Sequence, residues 1–126
     1  PDSVRFMPEQ PIFHMCPRID WEMASAEGTY AGGSDDRRDG FIHFSTAEQV
    51  VESATKHRAG QDGLVLLTVD AMALGSDLKW ERSRGDALFP HLYGTGPPSA
   101  VLRVDDLPLG DDGLHVFPAH VVGADA

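Results

Sequence analysis

Hydrophobic and polar positions alternate through "DGFIHFST", residues 39–46. In an extended chain Phe41, His43 and Ser45 point to one side, and Ile42, Phe44 and Thr46 to the other. The second set is mostly what a core takes up. The first places an imidazole and a hydroxyl on one face. A strand "FIHFS" is predicted, followed by a helix in "STAEQVVESATKHRAG". There Ala47, Val50, Val51, Ala54 and Arg58 share one helical side and Gly60 closes the segment. Upstream, "IFHM" (12–15) reads as a short strand, entered through chain held extended by Pro8 and Pro11. Pro17 stands where a first helical residue would, and Gly28 where a stop would. Between them Ile19, Trp21, Met23 and Ala24 predict a helix over 18–27. "GTYAGGSDDRRDG" (28–40) is rich in Gly, Ser and Asp and reads as a loop.

The second half is patterned for strands. "LVLLTVD" (64–70) is almost continuously apolar, as a central buried strand is. "AMALG" has room for one short helical turn. "DLKWER" alternates, with Leu78 and Trp80 on one face and Lys79 and Glu81 on the other. "LFPHLYGTGPP" reads as irregular because Pro90, Gly94, Gly96, Pro97 and Pro98 interrupt it. "SAVLRVDDL" is a further strand, and "GLHVFPAHVV" another, broken at Pro118. Two helices in the N-terminal half followed mostly by strands indicate an α+β fold with a mixed or antiparallel sheet, because doubly wound folds alternate to the end. There is no internal repeat, no Gly-rich dinucleotide fingerprint and no phosphate-loop Gly-Lys-Ser/Thr.

A chain of 126 residues with 41% hydrophobic positions makes one domain with one core. Its single cysteine, Cys16, leaves no intrachain disulfide and fits a cytoplasmic setting. No apolar run approaches the roughly 18 residues of a membrane-spanning helix. "PDSVRFMPEQP" lacks the basic start and apolar block of a signal peptide. The net charge of −10, from 20 acidic and 10 basic residues, repels a duplex nucleic-acid backbone. Arg37-Arg38 and Arg82/Arg84 are the basic clusters, each too small for a duplex and large enough for one or two phosphates.

Ser45-Thr-Ala-Glu48 matches a capping box, and Thr46-Ala-Glu-Gln49 offers a second register of it. A cap accounts for one hydroxyl and leaves His43 unexplained. His14 in "IFHM" and His91 in "FPHLYG" sit in similar apolar surroundings, so three half-buried imidazoles stand ready for one cleft. Three chemistries use such a set. Metal binding lacks a His-x3-His pair and a partner for Cys16, so no metal is expected. Ser-His hydrolysis lacks a Gly-x-Ser-x-Gly elbow, and side chains two apart on a strand stand roughly 7 Å apart. Binding of a polar, ring-containing ligand would use the imidazoles, Tyr93, a hydroxyl and the carboxylate of Glu81. Arg82 and Arg84 beside Glu81 suit a ligand with hydroxyls and phosphates.

"IFHM", "CPRIDWEMA", "DGFIHFSTAEQV", "GQDGLVLLTVD", "LKWERSRG" and "LFPHLYG" resemble the successive blocks of an uncharacterised bacterial family, domain of unknown function 952. The resemblance covers about 11–105 and leaves an acidic extension, 106–126. It implies an ADP-ribosyltransferase-like fold, two short crossed sheets around a cleft that takes NAD. Carried onto this chain, it implies that His14 on the first strand holds the adenosine-side ribose. His43, Ser45 and Thr46 would stand at the nicotinamide side, where the superfamily has Tyr or Ser-Thr. Glu81 would stabilise the cation as nicotinamide leaves, with His43 and Ser45 beside it. Tyr93 would stack on a ring, and His91, Arg82 and Arg84 would complete the ligand contacts. The implied activity is that of an NAD-dependent transferase with a nucleotide as its small-molecule partner. A non-catalytic ligand-binding or interaction module on the same scaffold is the alternative, and a small hydrolase a third.

Overall fold

The computed structural model describes residues 10–83 and 87–122. The expected extended segment at Pro8 lies outside them. Strand β1 (Ile12–Pro17) leads into helix α1 (Arg18–Glu27), then α2 (Ser34–Asp39), β2 (Ile42–His43), α3 (Ala47–His57) and β3 (Leu64–Val69). A 3-10 segment (Ala71–Asp77) precedes β4 (Leu78–Ser83) and β5 (Ala87–Leu92). A second 3-10 turn (Pro98–Ala100) precedes β6 (Val101–Leu107), and a short α4 (Ala119–Val122) follows. The fold is α+β, with two small antiparallel sheets of order β1-β3-β6 and β2-β5-β4. Among the described residues no helix is long and apolar enough to cross a membrane, which says nothing of a β-barrel.

The central strand β3 is buried at every position. Val65, Leu67 and Val69 face one cluster with Ile12, Cys16, Ile42, Phe44 and Leu92, between the two sheets. Leu64 and Leu66 face the other with Phe13, Val50 and Leu107. Because β1 alternates, His14 shares the inter-sheet face of Ile12 and Cys16. The sheets join where Phe13 and Ser45 exchange backbone hydrogen bonds of 2.8 and 2.9 Å. The chain after β6 folds back: Phe117 and Val121 pack on the second cluster, and His120 Nε2 bonds Asp105 at 3.0 Å.

Several expectations need correction. The predicted 28–40 loop contains α2, whose helical turn rests on a side-chain cap rather than on apolar periodicity. The irregular "LFPHLYG" is mostly β5. Pro90 is tolerated there because its carbonyl accepts the Phe44 N–H at 3.0 Å. In an extended residue the nitrogen lies on the same edge as the carbonyl, so the missing donor faces away from the β4 ladder. "FIHFS" pairs as a strand only at Ile42–His43, with an isolated bridge at Ser45. "GLHVFPAHVV" forms the bridge Leu109↔His115 and then α4, not a strand. Pro17 ends β1 and caps α1 rather than opening it, and Arg58 rather than Gly60 caps α3. On α3 it is Ser53, not Val51, that joins Val50 and Ala54 inside.

Candidate functional site

Register builds the site. In the second sheet His43 lies opposite His91, and His91 opposite Lys79, so these residues share a face. Glu81, two residues beyond Lys79, is a diagonal neighbour of His91 on that face. Ile42, Leu78, Trp80 and Leu92 take the opposite face into the core. The two imidazoles stand edge to face with centroids 5.8 Å apart, and Phe41 stacks on His91 at 4.1 Å. Between this face and β1 lies a cleft of about 270 Å³. His14, His43, Ser45 and His91 line it, brought from three separate segments, together with Asp36, Arg38, Asp39 and Arg58.

His14 is almost fully buried. Its Nδ1 meets the His43 carbonyl at 2.6 Å and its Nε2 meets the Tyr30 hydroxyl at 2.7 Å. A carbonyl only accepts, so Nδ1 carries the proton, and in the neutral ring the Tyr30 O–H donates to Nε2. Burial, opposed by Asp36 and by the bond to the His43 backbone, lowers the His14 pKa. Burial also raises the Tyr30 hydroxyl, and pushes the Cys16 thiol up to about 11. His14 therefore presents its ring to the cleft, while both of its nitrogens serve the interior.

Asp36, 5% exposed, anchors the other imidazole. Its Oδ1 accepts the His43 Nδ1–H at 2.6 Å and the His43 N–H at 3.0 Å, and its Oδ2 accepts the Gly33 N–H at 2.7 Å. The last bond reaches back to the start of α2, so one carboxylate both caps that helix and fixes His43. Burial pushes Asp36 upward. The His43 side chain, the His14 charge and the backbone donors of His43 and Gly33 outweigh it and hold the carboxyl down at about 2. In return the Asp36 bond raises the pKa of His43 against the cost of burial. Gly32 makes this approach possible: at φ +89°, a Cβ added there would lie 2.6 Å from Asp36 Cβ. Gly32→Ala is expected to cost about 2 kcal/mol, from left-handed strain plus displacement of Asp36. Chemical denaturation would measure that loss. A shift of the His43 ring signals in the same variant would report the carboxylate's movement.

His91 is the better-placed base. Its Nδ1 donates to Glu81 Oε1 at 2.7 Å, and the Tyr93 hydroxyl donates to the same oxygen at 2.7 Å. Those bonds, His91 first, lower the Glu81 pKa. With Nδ1 engaged as a donor, Nε2 is the ring nitrogen left to act as a base. Glu81 and Tyr93 stand behind His91 and are not part of the cleft lining. Ser45 Oγ donates to Ser53 Oγ at 3.1 Å, so it does not cap α3 as its sequence allowed. Thr46 is the cap residue, with its N–H bonded to Gln49 Oε1 at 3.0 Å, and it lies outside the lining. Arg82 is exposed on β4, also outside the lining, and Arg84 lies outside the described residues. Sequence reasoning missed Asp36, Asp39 and Tyr30. The only signal was the acidic pair flanking Arg37-Arg38, which reads as loop charge. Among the described residues no group of three or more His, Cys, Asp or Glu is placed to hold a metal ion.

A family model described as protein of unknown function (DUF952) matches residues 15–104. Among curated proteins none matches the chain. Of solved structures, the crystal structure of protein CC0527 from Caulobacter crescentus is 46% identical, with a TM-score of 0.85 over 89% of this chain and 98% of that one. The crystal structure of a double mutant of CC0527 gives the same values. The solution NMR structure of CC0527 has a TM-score of 0.79 over 92% of this chain and 98% of that one, again at 46% identity.

Proposed function

The chain belongs to the DUF952 family, a family described as of unknown function, and from the site itself we propose a nucleotide-binding cleft with acid–base capacity. One observation supports this above the others: His14, His43, Ser45 and His91 converge on a cleft whose wall also carries Arg38 and Arg58. Its volume of about 270 Å³ lies near the lower end of small-molecule sites, roughly 300–1,000 Å³, and suits a nucleoside-sized part of a ligand. NAD is the nucleotide that an ADP-ribosyltransferase-like scaffold takes, and we read the two sheets as that scaffold. In this reading His43 supplies a fixed positive charge and His91 Nε2 a base. Glu81 acts as a positioning residue through His91. Loss of nicotinamide develops positive charge on the ribose, and the negative charge of Glu81, acting through the His91 ring that lines the cleft, lowers the barrier electrostatically. The lone buried Cys16 supports placement in a reducing cytoplasm.

A second reading has its own support. Both nitrogens of His14, both of His43, and Oε1 of Glu81 are engaged within the protein. Such saturation favours a non-catalytic ligand-binding module on the same scaffold. A Ser45-based hydrolase gains nothing from a hydroxyl turned to Ser53. Titrating NAD into the protein while following histidine ring signals and free nicotinamide separates the readings. The expected result is movement of the His43 and His91 signals at millimolar NAD or below. If nicotinamide is released, Glu81→Gln slows release about 100-fold and displaces its pH profile. Movement without release selects the binding module. Neither binding nor release at millimolar NAD overturns the proposal.

A further inference from the structure

His43 is held by two carboxylates in unlike settings. Asp36, on Nδ1, has a side chain only 6% exposed. Asp39, on Nε2 at 3.0 Å, is 34% exposed and lies on the cleft wall. The other oxygen of Asp39 takes the Arg38 Nε–H at 3.1 Å, and the Arg38 side chain is 70% exposed. One carboxylate thus spans an imidazole and a guanidinium with two oxygens on a single centre, as a phosphate would. The inner bonds to Asp36 are shielded from water, while exposed ion pairs such as those of Asp39 contribute little. His43 stays in place if Asp39 swings out, because Asp36 still holds its ring.

We propose that His43 Nε2–H and the Arg38 guanidinium form an anion subsite for a ligand phosphate, and that Asp39 is its resident counter-ion, displaced when the phosphate enters. This deepens the nucleotide reading and rests on it for the source of the phosphate. Nearby charge fits the assignment. Arg58, whose guanidinium is bound to the Met15 carbonyl and to Gln61, adds a fixed positive charge to the same cleft. With Asp39 turned away, Asp36 is the only carboxylate among the described residues that line the cleft. Among the described residues a dianion then meets the cations His43, Arg38 and Arg58 against the carboxylate of Asp36. With Asp39 in place it meets a second negative charge at the very atom it must contact.

Inorganic phosphate is the probe. It is titrated into the wild-type protein, Asp39→Asn and the double variant Asp39→Asn/Arg38→Gln, while the His43 ring nitrogens are followed by NMR. Asp39→Asn is expected to bind phosphate at least tenfold more tightly than wild type, with the His43 Nε2 signal moving on saturation. Adding Arg38→Gln is expected to remove that gain. Unchanged thermal unfolding of Asp39→Asn confirms that its fold is intact. An affinity within twofold of wild type, a His43 signal that stays still, or no saturation with either protein overturns the subsite. A parallel NAD titration keeps the two ideas apart. NAD binding with no gain in Asp39→Asn removes only the subsite. A tenfold phosphate gain without NAD binding keeps the subsite and removes the nucleotide reading.

Discussion

Replacing Asp36 with alanine is expected to destabilise the protein by roughly 3 kcal/mol, because a buried carboxylate partner is deleted and its donors are left behind. For a chain of this size that is a fall in Tm of about 10 °C. The cost has three sources. The His43 ring loses the acceptor on Nδ1, the His43 backbone N–H loses its side-chain acceptor, and the N–H of Gly33 loses the reach-back bond that caps α2. His43 is itself 41% exposed at its side chain, so water recovers part of its loss. This keeps the figure at the lower end for a buried pair. Asp36→Asn is the informative control. It preserves shape but turns an amide N–H₂ toward one of the donors and removes the charge that His43 answers. It should be nearly as damaging as alanine, and the His43 pKa should fall in both. A calorimetric scan with a histidine titration by NMR checks both parts. A Tm within 2 °C of wild type would show that the carboxylate does not hold the site.

His14→Leu is expected to cost about 3 kcal/mol and to change how stability depends on pH. Leucine fills much of the ring's volume. It leaves the His43 carbonyl and the Tyr30 hydroxyl without the partners they have at 2.6 and 2.7 Å, and each buried orphan costs about 1–3 kcal/mol. The pH effect follows from the direction of each shift. His14 has a pKa below its ordinary value of 6.5 in the folded state. The unfolded chain therefore binds its proton first, and stability falls as pH drops below about 6.5. His43 is raised, so its contribution is complete below 6.5 and is lost as pH rises through its folded value. Asp36 is depressed to about 2, so its contribution is complete above 3.8 and lost between there and about 2. The wild-type protein is thus most stable near neutrality, with one histidine limiting each side. His14→Leu should flatten the acid side until about pH 4, where protonation of Asp36 takes over. Urea melts at half-unit intervals from pH 3 to 9 test this. An acid limb of unchanged slope in the variant would contradict the role given to His14.

The strongest apolar patterns were legible in the sequence. The helix over 18–27 and the buried strand at 64–69 are where periodicity and a continuous apolar run place them. The alternation at 41–45 sends Ile42 and Phe44 inward as read. The candidate imidazoles His14, His43 and His91 were visible as polar residues in apolar settings, and all three line the cleft. What escaped detection depends on partners far away in the chain. β5 looked irregular because Pro90 is tolerable only given where β2 ends. Helix α2 looked like loop because Asp36 organises it from one side chain rather than from a hydrophobic stripe.

The order of apolar and polar residues dictates which segments must be buried, since the free energy of transferring apolar side chains follows from composition and spacing. It thereby placed His14 and His43 on strands and made α+β the economical arrangement. The tertiary structure alone decided which polar atoms meet. Register set His43 opposite His91 and Glu81 diagonal to it, and a Cβ-free approach at Gly32 brought Asp36 beneath His43. Hydrogen bonds and charges act over a few ångströms and along fixed directions, so they are settled by where strands pair and not by where residues stand in the chain.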